Sequence, residues 1–265
     1  MTARVVTIAS GKGGVGKTTA VANIAVALAA DGQKVVCLDS DIGLRNLDVV
    51  MGLENRIVYD LVDVIEGRCR LRQAMIRDKR VAELFLIPAA QTRDKSAVSP
   101  ADMMRLCDEL RAECDWVIID SPAGIERGFH NAIAPADQVL VITNPEVSAV
   151  RDADRVVGLL EADEKGPPSL IINRINPNMV KRHDMLSAGD VLDLLAINLI
   201  GIVPEDESVI VATNRGTPIV LDPKSKAGQA FRNIAHRLMG QEVPFLDLDS
   251  HGGLWERLSR LTGRK

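Results

Sequence analysis

Seven short apolar runs punctuate the chain: Val5–Ala9, Val35–Asp39, Leu84–Pro88, Trp116–Asp120, Gln138–Thr143, Ser169–Arg174 and Leu199–Val203. Each is continuously apolar rather than alternating, which is the pattern of strands covered on both faces, as in a parallel sheet. Polar and apolar positions between them recur at helical spacing. One helix is predicted from Lys17 to Asp31, stopped by Gly32 at a position where helices favour glycine. A second follows Ser99-Pro100, an N-cap and a first-turn proline, and a longer one covers Glu146–Asp163. This succession predicts an α/β fold: a doubly wound, mostly parallel sheet with helices on both faces and a ligand crevice at the carboxyl ends of the strands. The chain shows no internal repeat and no low-complexity tract.

The residues between the first strand and the first helix change the picture from fold to chemistry. Ser10–Thr19 reads SGKGGVGKTT, a complete G-x-x-x-x-G-K-T phosphate loop in its strand–loop–helix context. Gly11, Gly13, Gly14 and Gly16, with Val15 between the last two, let backbone N–H groups turn inward around phosphate oxygens. The N-terminus of the next helix adds partial positive charge. Lys17 is placed to reach the β- and γ-phosphates, Thr18 to put its hydroxyl on Mg²⁺, and Thr19 continues the nucleotide-binding turn. This predicts a nucleoside triphosphate with Mg²⁺. Lys12 is one lysine more than the motif requires. It is either a solvated surface lysine or a cation that reaches a second nucleotide across a dimer, as an arginine finger does.

Two strand ends carry carboxylates. The second run ends in Asp39-Ser40-Asp41, and Trp116-Val117-Ile118-Ile119 runs into Asp120, a Walker B pattern for holding Mg²⁺. Ser121-Pro122-Ala123-Gly124 then makes a loop suited to sensing a γ-phosphate. On position alone, Asp39 and Asp41 read equally well as loop aspartates capping a turn.

Lys12-Gly13-Gly14-Val15-Gly16-Lys17-Thr18-Thr19 resembles the deviant Walker A motif of the MinD/ParA family of dimerising P-loop ATPases. Asp39–Asp48 (DSDIGLRNLD) and Asp120–Glu126 (DSPAGIE) resemble the family's switch I and switch II. Gln91–Lys95, Thr143–Ser148, Arg151–Arg155, Asp184–Ser187 and Pro204–Asp206 match as well, several of them in the form of the MinD branch. The resemblance spans nearly the whole chain. It implies that Lys12 is the signature lysine crossing a homodimer interface and that Asp41 positions the attacking water. Asp39 would support the magnesium site. It further implies that Asn46 and Glu146 act across the dimer and that Asn173 and Pro204 border the adenine. The stretch Asn173–Pro177 follows the family pattern only in part. Ser148, Arg151, Asp152 and Asp154 would form the surface for a MinC-like septum inhibitor and a MinE-like activator. The implied function is an ATPase that places the division site, cytoplasmic and peripheral on the inner face of the bacterial membrane when ATP-bound.

Composition narrows this further. The 265 residues fit one large α/β domain, 46% are apolar, and only two Trp, one Tyr and four Phe are aromatic, so the core is aliphatic. Acidic residues outnumber basic ones, 36 to 32, which argues against a surface built to coat nucleic acid. That weighs against a ParA-like DNA-partition ATPase, the first alternative. Cys37, Cys69, Cys107 and Cys114 show no C-x-x-C pair, and all precede Asp120. That weighs against an iron–sulfur ATPase like the nitrogenase iron protein and fits a reduced compartment. No signal peptide is expected, and no run approaches the ~20 apolar residues of a membrane span, so membrane contact is expected to be peripheral.

The last residues supply a means. After an ATPase domain over 1–240, the segment 241–253 (QEVPFLDLDSHGG) lacks periodicity and reads as a flexible tether. Over 254–265, Leu254, Trp255, Leu258 and Leu261 share one helical face, while Arg257, Arg260, Arg264 and Lys265 charge the remainder. That is either an amphipathic helix for an anionic membrane surface or a terminal helix packed on its own domain.

Overall fold

The computed structural model describes residues 3–248. The amphipathic helix expected over 254–265, with Leu254, Trp255, Arg257, Leu258, Arg260 and Leu261, lies outside the described residues, as does 249–253 of the tether. All seven predicted runs are strands: β1 (Arg4–Ala9), β2 (Val35–Asp39), β4 (Leu84–Ile87), β5 (Trp116–Asp120), β6 (Gln138–Thr143), β7 (Ser169–Ile175) and β8 (Asn198–Pro204). The strand not predicted is β3 (Ile76–Arg77), whose two residues are too few to carry a period. The sheet order is β3-β4-β2-β5-β1-β6-β7-β8, and β3 alone runs antiparallel, against β4.

The continuous apolar runs are explained by what lies on each face. Val6 and Ile8 of β1 join one buried cluster, whereas Val5 and Ala9 join clusters on the opposite face. Both faces are covered, so both parities along a strand must be apolar. The helix α1 (Lys17–Ala30) lies between the sheet and the helix Lys226–Leu238, with eleven of its fourteen residues buried. Five of those eleven are alanines, small enough for close packing on two sides. Its buried Asn23 donates to Thr19 O at 2.8 Å and accepts from Val220 N at 2.8 Å, so no polar atom is stranded there. Ser99 caps the helix Pro100–Leu110 in a capping box with Asp102, and the third predicted helix is Val147–Ala162, flanked by Glu146 and Asp163.

Strand order reverses about β1, with the parallel strands β5 on one side and β6 on the other, which opens a crevice at their carboxyl ends. Asp39 and Asp120 are register partners on neighbouring strands at that level. The segment 241–248 has no regular structure, yet it is held to the domain. The Arg237 guanidinium lies 4.0 Å from the Phe245 ring centroid, and its Nε donates to Val243 O at 3.0 Å. Leu246 packs on one face of the sheet and Leu248 on the other, which carries the chain past the edge strand β8. No helix of the described residues is long and apolar enough to cross a membrane.

Candidate nucleotide site

The loop between β1 and α1 gathers the site's backbone donors. Gly16, just before α1, has φ 94°, a left-handed conformation that strains any residue with a Cβ. A Cβ there would also lie 2.3 Å from Asn173 Nδ2. That amide donates to Val15 O at 2.7 Å, so Asn173 ties the loop to β7. Asp152 presses its backbone against Gly11 from the helix Val147–Ala162. No side chain caps α1, which leaves its first-turn N–H groups for an anion, with Thr18 and Thr19 half-buried in that turn.

Beneath the loop is a buried charge cluster. Lys17 Nζ lies 2.5 Å from Asp120 Oδ1, with side-chain exposures of 9% and 2%. Asp39, also buried, accepts from Asp41 N on Oδ1 at 3.0 Å and from Asn46 N and Leu47 N on Oδ2 at 3.2 Å each. Burial and the neighbouring Asp120 push its carboxyl up to about 7, against the pull of those three N–H donors. Two buried carboxylates on neighbouring strand ends, only one of them paired with Lys17, suit a divalent cation. Among the described residues no group of three or more His, Cys, Asp or Glu forms a self-sufficient metal cage.

The two loop lysines are separated in kind. Lys12 is exposed, its Nζ 4.0 Å from Glu146 Oε2. Around this rim Leu44, Ile125 and Val147 are exposed too, alongside Asn46. Half-buried Asp41 borders a hollow of about 30 Å³ shared with Pro122, Ala123 and Glu126, where the loops after β2 and β5 meet. That hollow is room for a single water.

A cavity of about 190 Å³ opens beside the loop, and Asn173 and Pro204 both border it with Gly16 and Thr19. The sequence does not single out Arg174, Val203, Val209, Ile210 and Phe231, which line it too, together with Glu205, Asp206 and Glu207. The first five come from β7, β8 and two helices, and no single stretch marks them as neighbours. Ser148, Arg151 and Asp154 are exposed on the helix Val147–Ala162, and Asp152 is half-buried, 3.6 Å from Arg155. Cys37, Cys107 and Cys114 are buried, and burial raises all three thiols, Cys107 and Cys114 to about 12.

The model of the CobQ/CobB/MinD/ParA nucleotide binding domain matches residues 6–219. The septum site-determining protein MinD of Synechocystis is 52% identical over 97% of both chains. This chain belongs to the MinD family. Its fold is the MinD P-loop NTPase fold. The MinC:MinD cell division protein complex of Aquifex aeolicus superposes with a TM-score of 0.86 at 49% identity, covering 94% of this chain and all of that one. The MinD of Pyrococcus horikoshii, solved with Mg-ADP, gives 0.80 at 29% identity, covering 89% and 96%. Membership makes the loop, the carboxylate pair and the cavity parts of one nucleotide-binding domain.

Proposed function

We propose that this chain is a Mg²⁺-dependent ATPase that dimerises on ATP, binds the membrane as a dimer and there recruits a MinC-like septum inhibitor. A MinE-like activator would release it by stimulating hydrolysis. The observation that carries the reading is the division of labour between Lys12 and Lys17. Lys17 is buried on Asp120 within its own site, and phosphate oxygens would compete for it there. Lys12 is exposed on a rim of uncovered apolar side chains, and it would serve a second copy's phosphates. Adenine would enter the cavity walled by Asn173 and Pro204, and ribose and phosphates would run toward the loop.

A bound Mg²⁺ would supply positive charge to the site as negative charge develops on the phosphates. Thr18, Asp39 and Asp120 would hold it, directly or through water. Asp41 would accept a hydrogen bond from the attacking water and orient it. Glu146 and Asn46 would face the partner's nucleotide. Exposed Ser148, Arg151 and Asp154, with half-buried Asp152, would receive the partner proteins; the relative solved with MinC supports a MinC-like partner. Asp152→Ala is expected to weaken pull-down of a MinC-like protein several-fold.

Size-exclusion chromatography with ATP and with ADP tests the central step. Wild type should elute as a dimer with ATP alone, and Lys12→Ala as a monomer with both. A Lys12→Ala protein that dimerises and hydrolyses ATP normally would remove the trans role of Lys12. Co-sedimentation with anionic liposomes and with plasmid DNA separates this reading from a DNA-partition ATPase.

A further inference from the structure

The helix Ser208–Asn214 walls the base cavity through Val209 and Ile210, yet none of its residues is buried. Val209 and Ala212 rest against the core without being fully covered, and the helix is pinned at both ends as well. At its start, Asp206 Oδ1 accepts from Ser208 N at 3.0 Å while Asp206 Oδ2 accepts from Ser225 Oγ at 2.8 Å. Past its end, Gly216 meets Gly52 backbone to backbone, so closely that a Cβ on Gly52 would lie 2.6 Å from Gly216 O.

Arg80 joins these two backbones. Its Nη1 donates to Gly216 O at 2.6 Å and its Nη2 to Met51 O at 2.5 Å. The fork is aimed by Asp78, 3% exposed, whose Oδ2 accepts from Nη2 at 2.7 Å and whose Oδ1 accepts from Arg80 N at 2.6 Å. A planar guanidinium with divergent donors can span two carbonyls in this way, and an ammonium cannot reproduce its geometry. Met51 ends the short helix Leu47–Val50, and that helix begins with Leu47, whose N–H, with that of Asn46, donates to Asp39 Oδ2. A continuous set of close contacts thus runs from the base cavity to the buried carboxylate cluster.

We infer that Arg80 is a positioning residue that couples occupation of the base cavity to the switch I segment at Asp39. The inference rests on the nucleotide reading above. A base seated against Ile210 sets the helix, Gly216 transmits its position, and Arg80 fixes Met51 and with it the Asn46 and Leu47 donors. Phosphates alone lack the first of these contacts, so a ligand without a base should leave switch I less ordered.

The test compares Mg·ATP with Mg·tripolyphosphate, which carries the phosphates and no base, on the full chain. Calorimetry gives both affinities, and hydrogen exchange reads the amides of Asn46 and Leu47. In wild type, ATP should bind more tightly and protect both amides more than tripolyphosphate does. In Arg80→Gln the affinity ratio should fall about tenfold, within the usual range of coupling between sites. Tripolyphosphate affinity should hold within twofold, and the extra protection should vanish. Arg80→Lys keeps the charge opposite Asp78, and it decides the matter if the glutamine variant does not fold; it should show the same loss. An unchanged ratio and unchanged protection in the folded variant, with ATP still bound, overturn the coupling alone. A wild-type protein that binds neither ligand overturns the nucleotide reading and the coupling with it.

Discussion

Lys17 and Lys12 carry the same charge, but burial makes their removal unequal. Lys17→Ala strands Asp120 beside Asp39 with no cation, and breaking a buried pair by deleting one partner costs roughly 3–5 kcal/mol. A lower thermal midpoint in the nucleotide-free protein, together with lost ATP binding, is expected. Lys12→Ala removes an exposed contact with Glu146 worth under ~1 kcal/mol, so its midpoint should match wild type while ATP-dependent dimerisation is lost. Asp39 gives a pH signature. Its folded carboxyl titrates near 7 against an ordinary 3.8, so the folded state holds the proton more tightly. The stability from this group is full below about 4 and is lost as pH rises through 7. Denaturant midpoints of the nucleotide-free protein at pH 5, 6, 7 and 8 should therefore fall more steeply for wild type than for Asp39→Asn; equal slopes would refute the assignment. Lys17 and Asp120 stand out in the sequence because phosphate and metal chemistry dictates residue type in their motifs, whereas Asp39 on position alone reads equally well as a turn cap. Arg80 does not stand out. It sits in the run Arg77-Asp78-Lys79-Arg80, which looks like a solvated charge patch, and two of its partners are backbone carbonyls that leave no mark in sequence.

At the scale of elements, the strands were legible for a physical reason: two apolar faces force every position of a run to be apolar. β3 escaped because pairing of two residues with β4 is fixed by the chain reversing locally, not by a pattern. The base cavity escaped because its walls meet only once β7, β8 and the helix Ser208–Asn214 are side by side. Switch I is the element on which hydrolysis is expected to turn. Its Asp39 end is pinned by three backbone donors, whereas Asp41 borders the water-sized hollow against the Pro122 loop. Asp41→Ala should therefore bind Mg·ATP within about threefold of wild type while turnover falls ~10²-fold, a magnitude typical of losing a positioned acid–base group. An ATP-bound dimer should accumulate on size-exclusion chromatography. A variant that binds ATP but elutes only as a monomer would assign Asp41 to assembly instead.

For the whole molecule, the question is how far the terminal helix read in the sequence can stray from the domain. Arg237 and Phe245 hold 241–248 against the β8 edge, so only 249–253 separate the last held residue from Leu254. Five residues reach at most about 17 Å. Two such anchors on one dimer would stay close together, and the second would bind at high effective concentration. Leu258→Glu places a charge in the middle of the apolar stripe and adds ~2 kcal/mol or more per anchor. Because both anchors carry it, the loss should roughly double, and ATP-dependent co-sedimentation with anionic liposomes should disappear while lipid-free ATPase is unchanged. Phe245→Ala acts on the tether alone. Full release of 241–248 would lengthen the connection to Leu254 from five residues to thirteen, and effective concentration falls roughly as the −3/2 power of length, so the loss is at most about fourfold while Leu246 and Leu248 still pack. Salt should weaken the wild-type interaction only in part, since insertion of leucine and tryptophan is not screened. The expected order of liposome affinity is wild type, then Phe245→Ala, then Leu258→Glu. If Leu258→Glu sediments like wild type, or unfolds the domain, the terminal helix is a packed structural element and the membrane reading fails.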